Sequence, residues 1–288
     1  MTKNNKFNSS QDFRKSLETR LQNKAKKEGI DLQRLRRCVA FDRLLARLFT
    51  HPEPPFFLKG GYAMELRLSS ARATKDIDIT YLEKFKKNGE LIPQLILDDL
   101  QRLAAIDLGD FFSYTLGTSQ LDLENAPYGG ARYPISSFID GKLFVRFHLD
   151  VGGDILVLNT ENLTTPDWLS FCDVPAPSIR MISIEQQLAE KIHTYTLPRE
   201  EKQNSRVKDL IDILLLVQMR PLNQQQLISV LRQIFKVRDT HSLPTQLAPP
   251  PSDWTEPYAA LAQECGINQD ITIAFEHVST TYSNLFRV

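Results

Sequence analysis

One stretch constrains this chain more than any other: residues Phe57 to Tyr81, reading FLKGGYAMELRLSSARATKDIDITY. A short apolar run leads into a Gly-Gly turn, then a helical segment, then a strand carrying two carboxylates. Along an extended strand alternate side chains share a face, so Asp76, Asp78 and Thr80 point one way and Ile77, Ile79 and Tyr81 the other. Like charges held so close repel unless a cation lies between them. Hard oxygen ligands suit Mg2+, or Mn2+, which takes one or two carboxylates and completes its shell with water and substrate phosphates. The amides of Gly60 and Gly61, opening a helix, are the complementary half of such a site because helix-start N–H groups without partners bind phosphate oxygens. Together they point to a nucleoside triphosphate (NTP). The bland alternative is an edge strand with its acidic face in water, preceded by a bare turn.

The 288 residues suit one large or two modest domains, and 42% hydrophobic with 24% charged residues is ordinary for a soluble globular protein. No apolar run is long enough to span a bilayer, and the first residues lack the apolar stretch of a secretion signal, so the expected location is cytoplasmic, away from membranes. Cys38, Cys172 and Cys265 are scattered, without zinc-site spacing, and read as free thiols. The formal net charge is zero but uneven: residues 1–50 hold 13 Lys/Arg against 5 Asp/Glu. A basic flank is either a footprint for phosphate backbone or a solvated helix face. From residue 239 onward Arg287 faces six acidic residues, so that end is not expected to embrace nucleic acid.

Helical periodicity covers Ser9 to Glu28 and Asp31 to Leu48, with Asp31 as a cap, until the prolines at 52, 54 and 55 end it. A helix is expected over Glu90–Ala105, an extended segment over Phe111–Leu116, and a loop over Ala126–Pro134. From Leu143 to Val151 the odd positions are apolar, leaving Phe144, Arg146, His148 and Asp150 on the other face of a strand. Ser183-Ile-Glu-Gln186 reads as a capping box. On the helix it opens, Ile184, Leu188, Lys191 and Tyr195 share a stripe, which puts an ammonium in an apolar row. Lys191 must either snorkel outward or meet an anion, a phosphate or an aspartate. The next helix, from Ser205, is apolar nearly all round over residues 210–217 except at Asp212, and Arg206, Asp209 and Asp212 follow one another on one side.

Four blocks, Leu58-Lys-Gly-Gly-Tyr-Ala63, Arg72-Ala-Thr-Lys-Asp-Ile-Asp78, Ala189-Glu-Lys-Ile-His193 and Arg206-Val-Lys-Asp-Leu-Ile-Asp212, together resemble the AbiEii/AbiGii toxin family of polymerase-beta-like nucleotidyltransferases. The resemblance implies an α/β (α+β) fold: a nucleotidyltransferase core with a mixed β-sheet over 51–180, after a basic N-terminal helical arm (1–50) and before a helical C-terminal lobe (181–288). The lobe would contribute Lys191 and Asp209 to an active-site cleft. Asp76, Asp78 and, by resemblance, Asp150 would hold the metal, Asp150 also drawing the proton from the attacking hydroxyl. Gly60 and Gly61 would cradle phosphate, Arg72 or Lys75 would offset its charge, and Lys191 with Asp209 or Asp212 would fix the nucleotide. The family usually has Ser or Thr after Gly-Gly; Tyr62 stands there in this chain, and base stacking is the role open to its ring. The implied reaction moves a nucleoside monophosphate from an NTP to an acceptor hydroxyl, expelling pyrophosphate. The tRNA 3′ end is the expected acceptor and an antitoxin the expected protein partner; protein nucleotidylation and non-catalytic binding of nucleotide or RNA remain the alternatives.

Overall fold

The computed structural model describes residues 6–68, 71–81, 86–87, 90–120, 129–153, 159–198, 206–219 and 221–287. Its contacts divide the chain into two compact units, one of Met1–Leu66, Ala73–Asp154 and Glu161–Met181, the other of Arg67–Arg72, Ile155–Thr160 and Ile182–Val288.

The first unit begins with two helices, α1 (Ser10–Glu28) and α2 (Leu32–Leu48). Their ends follow local chemistry: Ser9 and Asp31 accept from the amides of Asp12 and Arg34, and Gly29 closes α1 in the left-handed conformation that lacks a steric cost only for glycine. The stripe Leu35, Val39, Leu44, Leu45 and Leu48 is buried, and Phe41 meets Tyr62 and Phe147 edge to face. Both helices therefore share the core of the sheet behind them.

That sheet has seven strands in the order β5-β6-β7-β2-β1-β9-β8, formed by β1 (Phe56–Lys59), β2 (Asp76–Tyr81), β5 (Phe112–Leu116), β6 (Gly130–Ile139), β7 (Lys142–Gly152), β8 (Thr160–Thr164) and β9 (Ser178–Ile182). It is mixed: β2 runs antiparallel to β1 and parallel to β7, β9 runs parallel to β1, and β5, β6 and β7 form an antiparallel meander. Between β1 and β2 lies α3 (Gly60–Arg67); β3 (Lys86–Lys87) and β4 (Glu90–Leu91) pair separately before α4 (Pro93–Ala104).

Three expectations need correction. The helix expected from Glu90 starts at Pro93, because proline suits a first helical turn and pushes the residue before it into extended conformation. The expected loop over Ala126–Pro134 is strand from Gly130 onward; residues 126–128 lie outside the described residues. Ala131, Tyr133 and Ile135 alternate into the core there, and that period-2 burial overrides the turn-like Gly, Pro and Tyr composition. In β7 the alternation slips at its start: Ser137 faces Val145 but Phe138 faces Leu143, so Phe144 is the extra residue of a bulge. Phe144 is buried and Leu143 is 41% exposed.

The second unit is helical: α5 (Ile184–Thr196), α6 (Val207–Met219), α7 (Gln224–Arg238), α8 (Thr255–Glu264) and α9 (Ile271–Leu285). Ser183 caps α5 by accepting from Gln186, and α6 is buried over Leu210–Leu216. Among the described residues no helix is long and apolar enough to cross a membrane.

Candidate active site

The sheet register aligns charges in a row. Asp78 on β2 lies opposite Asp150 on β7 and opposite Lys59 on β1, and Asp150 lies opposite Arg132 on β6. Directly opposed residues share a face, so two carboxylates stand side by side, flanked by two cations. Asp76, two residues before Asp78, lies opposite His148, whose Nδ1 is 3.2 Å from Asp76 Oδ1. Arg132 forks Asp150, Nε to Oδ1 at 2.7 Å and Nη2 to Oδ2 at 2.6 Å, and the same Nη2 stands 3.6 Å from Asp76 Oδ2. These bonds hold the guanidinium pKa above its usual value.

Gly60 closes one side of this cluster. Its φ is +66°, and a Cβ there would overlap the Asp78 carboxylate, so glycine is required by conformation and by space. Gly61 is packed against Thr74 in the same way: a Cβ would sit 2.7 Å from Thr74 Oγ1. The Thr74 amide donates to Glu65, which also pairs with Arg34 at 3.1 Å, so α2, α3 and the turn into Asp76 are pinned by one buried carboxylate. Lys75 is exposed on that turn.

Tyr62 points the other way. The ring expected to stack on a base is 1% exposed, packed edge to face against Phe41, with its hydroxyl donating to Asp42 and to the Cys38 carbonyl. Burial raises the Asp42 pKa to about 7, against the hydrogen bond from Tyr62, which favours the charged form. A phenol is tolerated after Gly-Gly because it reaches back into the core beneath the turn; base stacking by this ring is excluded.

The second unit holds its own charged cluster. Lys191 Nζ lies 2.9 Å from Asp209 Oδ1 and 2.8 Å from Asp212 Oδ2, with its side chain 16% exposed. Both aspartates meet the lysine. Arg72 forks Asp212 at 3.1 and 2.9 Å, and Arg206 stands 3.9 Å from Asp209 Oδ2. Burial favours loss of the Lys191 proton, but the two carboxylates outweigh it and raise its pKa; for Asp212 burial is outweighed by Lys191 and Arg72, and its pKa falls.

Among the described residues no three acidic, histidine or cysteine side chains are gathered so as to hold a metal ion as they stand. The donor set of Asp76 and Asp78 nevertheless fits a hard divalent cation that completes its shell with phosphate and water. Asp150 has both oxygens committed to Arg132. Arg132, Glu65 and Asp42 stand in no sequence motif; the signal for Arg132 is the alternation Ala131, Tyr133, Ile135, which puts it on the polar face of a strand.

The family model described as nucleotidyl transferase AbiEii toxin, type IV toxin–antitoxin system, matches residues 43–279. Among solved structures, the MenT4 nucleotidyltransferase toxin of Mycobacterium tuberculosis is similar in fold, with a TM-score of 0.53 at 13% identity over 86% of this chain and 90% of that one. JHP933 from Helicobacter pylori gives a TM-score of 0.45 at 14% identity over 86% of this chain and 94% of its own. No curated protein matches.

Proposed function

Because the chain belongs to the AbiEii family of nucleotidyltransferase toxins of type IV toxin–antitoxin systems, we propose that it transfers a nucleoside monophosphate from an NTP to the 3′ end of tRNA, releasing pyrophosphate. The observation that carries this reading is the register of Asp78 against Asp150 beside the Gly60 turn, where a side chain would overlap the Asp78 carboxylate. Glycine there lets the Asp78 carboxylate lie directly against the turn, beside helix-start amides of the kind that bind phosphate.

Asp76 and Asp78 are the residues to hold a divalent metal. When bound, such an ion neutralises charge on the phosphates and on the leaving oxygens. The amides of Gly60 and Gly61 orient the triphosphate. Asp150 accepts the proton of the acceptor hydroxyl once its oxygens are available. Lys191 supplies a cation to the nucleotide, kept charged by Asp209 and Asp212, while Arg72 is already balanced by Asp212 and Lys75 is left to meet phosphate from the exposed turn. Positioning and charge stabilisation, rather than a covalent intermediate, provide the rate. As a family member, the chain has an antitoxin as its expected partner.

The test is transfer of α-labelled nucleotide from each NTP, with Mg2+ or Mn2+, onto total tRNA and onto lysate protein, comparing wild type with Asp76→Ala and Lys191→Ala. Label on tRNA that disappears in both variants supports the reading. Label on protein retains the chemistry and replaces the acceptor. NTP bound by folded wild type with no label on either means a non-catalytic member.

A further inference from the structure

The guanidinium of Arg132 occupies the oxygens that a third metal ligand would need. Resting on the nucleotidyltransferase reading of this site, we propose that Arg132 is a resident counter-ion which the triphosphate draws off Asp150, so that nucleotide and divalent cation bind cooperatively.

Three observations converge on it. Arg132 engages both Asp150 oxygens in a fork and reaches toward Asp76, so one cation serves carboxylates on two strands. A second cation arriving at the same oxygens meets direct repulsion. The Arg132 side chain is 29% exposed, so an anion from solvent can reach it. Its fork matches phosphate as well as it matches carboxylate, and a long side chain on a paired strand changes partners by rotamer alone, without moving the sheet. His148 stays on Asp76 and does not contest Asp150. The triphosphate that brings the metal thus also removes the competitor. By linkage, whatever factor the nucleotide contributes to metal affinity, the metal contributes to nucleotide affinity.

The experiment uses the full chain and two probes that need no turnover. Mn2+ alone is titrated into wild type, Arg132→Gln and Arg132→Lys by calorimetry, and inorganic tripolyphosphate is titrated separately in the presence of EDTA. Arg132→Gln is expected to bind Mn2+ at least tenfold tighter than wild type and tripolyphosphate at least tenfold weaker. Arg132→Lys, which keeps the charge but loses the fork, is expected between the two and serves if the glutamine variant does not fold. Equal Mn2+ affinity in wild type and Arg132→Gln, or weaker binding in the variant, overturns the proposal while leaving the carboxylate site standing. So does undiminished tripolyphosphate binding. If the tighter Mn2+ binding survives the added change Asp76→Asn with Asp78→Asn, the metal lies elsewhere, and the reading of the site falls together with the proposal.

Discussion

At the scale of single residues, Gly60 and Asp42 give the sharpest tests. Gly29 and Gly60 share a left-handed backbone, φ +67° and +66°, but a Cβ at Gly29 meets nothing within 4 Å whereas one at Gly60 meets Asp78. Gly29→Ala is therefore expected to cost about 1–2 kcal/mol from backbone strain alone, with nucleotide transfer unchanged. Gly60→Ala is expected to cost more in urea unfolding and to abolish transfer; equal behaviour of the two variants would remove Gly60 from the site. Asp42, with a pKa raised to about 7, binds its proton more tightly folded than unfolded. Its contribution is complete below the ordinary carboxylate pKa of about 4 and is lost as pH rises through about 7, a change on the order of 4 kcal/mol. Asp42→Asn keeps an acceptor for Tyr62 and is expected to flatten that part of the pH dependence and to be the more stable protein at pH 8, as paired urea titrations at pH 5 and pH 8 would read. Asp76, Asp78 and the two glycines were legible in the sequence because local spacing alone puts them together. Tyr62 was not: its direction is set by Phe41 and Asp42 on a helix about twenty residues away.

At the scale of elements, buried ion pairs do the anchoring. Arg47 forks Asp110 at 2.9 and 2.7 Å and donates to the Phe112 carbonyl, while Arg43 reaches the same aspartate at 2.6 Å, so α2 is tied to the start of β5. Burial opposes the Asp110 charge, but the two arginines outweigh it and lower its pKa. Removing one partner of such a group leaves buried charge exposed to poor solvation, and Arg47→Met is expected to destabilise by about 3–5 kcal/mol. Asp110→Asn combined with Arg47→Met should cost less than the sum of the two single changes; simple additivity would show that the pair is not coupled. Periodicity and caps made α1, α2 and α5 readable, Asp31 and Ser183 included. The β6 strand was hidden behind Gly129, Gly130 and Pro134, whose turn chemistry outvoted a five-residue alternation, and with the strand went the position of Arg132.

At the scale of the whole molecule, the positive charge of residues 1–50 is partly matched by partners within the chain, some buried and some on the surface. Arg43 and Arg47 are buried on Asp110, Arg14 donates to the carbonyls of Ile139, Lys142 and Leu143, and Arg34, Arg36 and Lys24 pair with Glu65, Glu18 and Glu28. Composition could not separate these from the exposed Lys15, Lys26 and Lys27, because pairing depends on tertiary contacts. Lys15 and Lys26 lie eleven residues apart, about three turns, on one stripe of α1. Reversing all three to Glu is expected to weaken tRNA binding and to reduce the slope of log affinity against log salt by about 2–3; an unchanged slope would move the RNA contact off this helix. The most direct test of the central claim is transfer of the α-phosphate label with Mg2+, wild type against Asp78→Asn, both shown folded by thermal melting. The account predicts labelled acceptor and released pyrophosphate with wild type and a loss on the order of a thousandfold in the variant; full transfer by folded Asp78→Asn would contradict it.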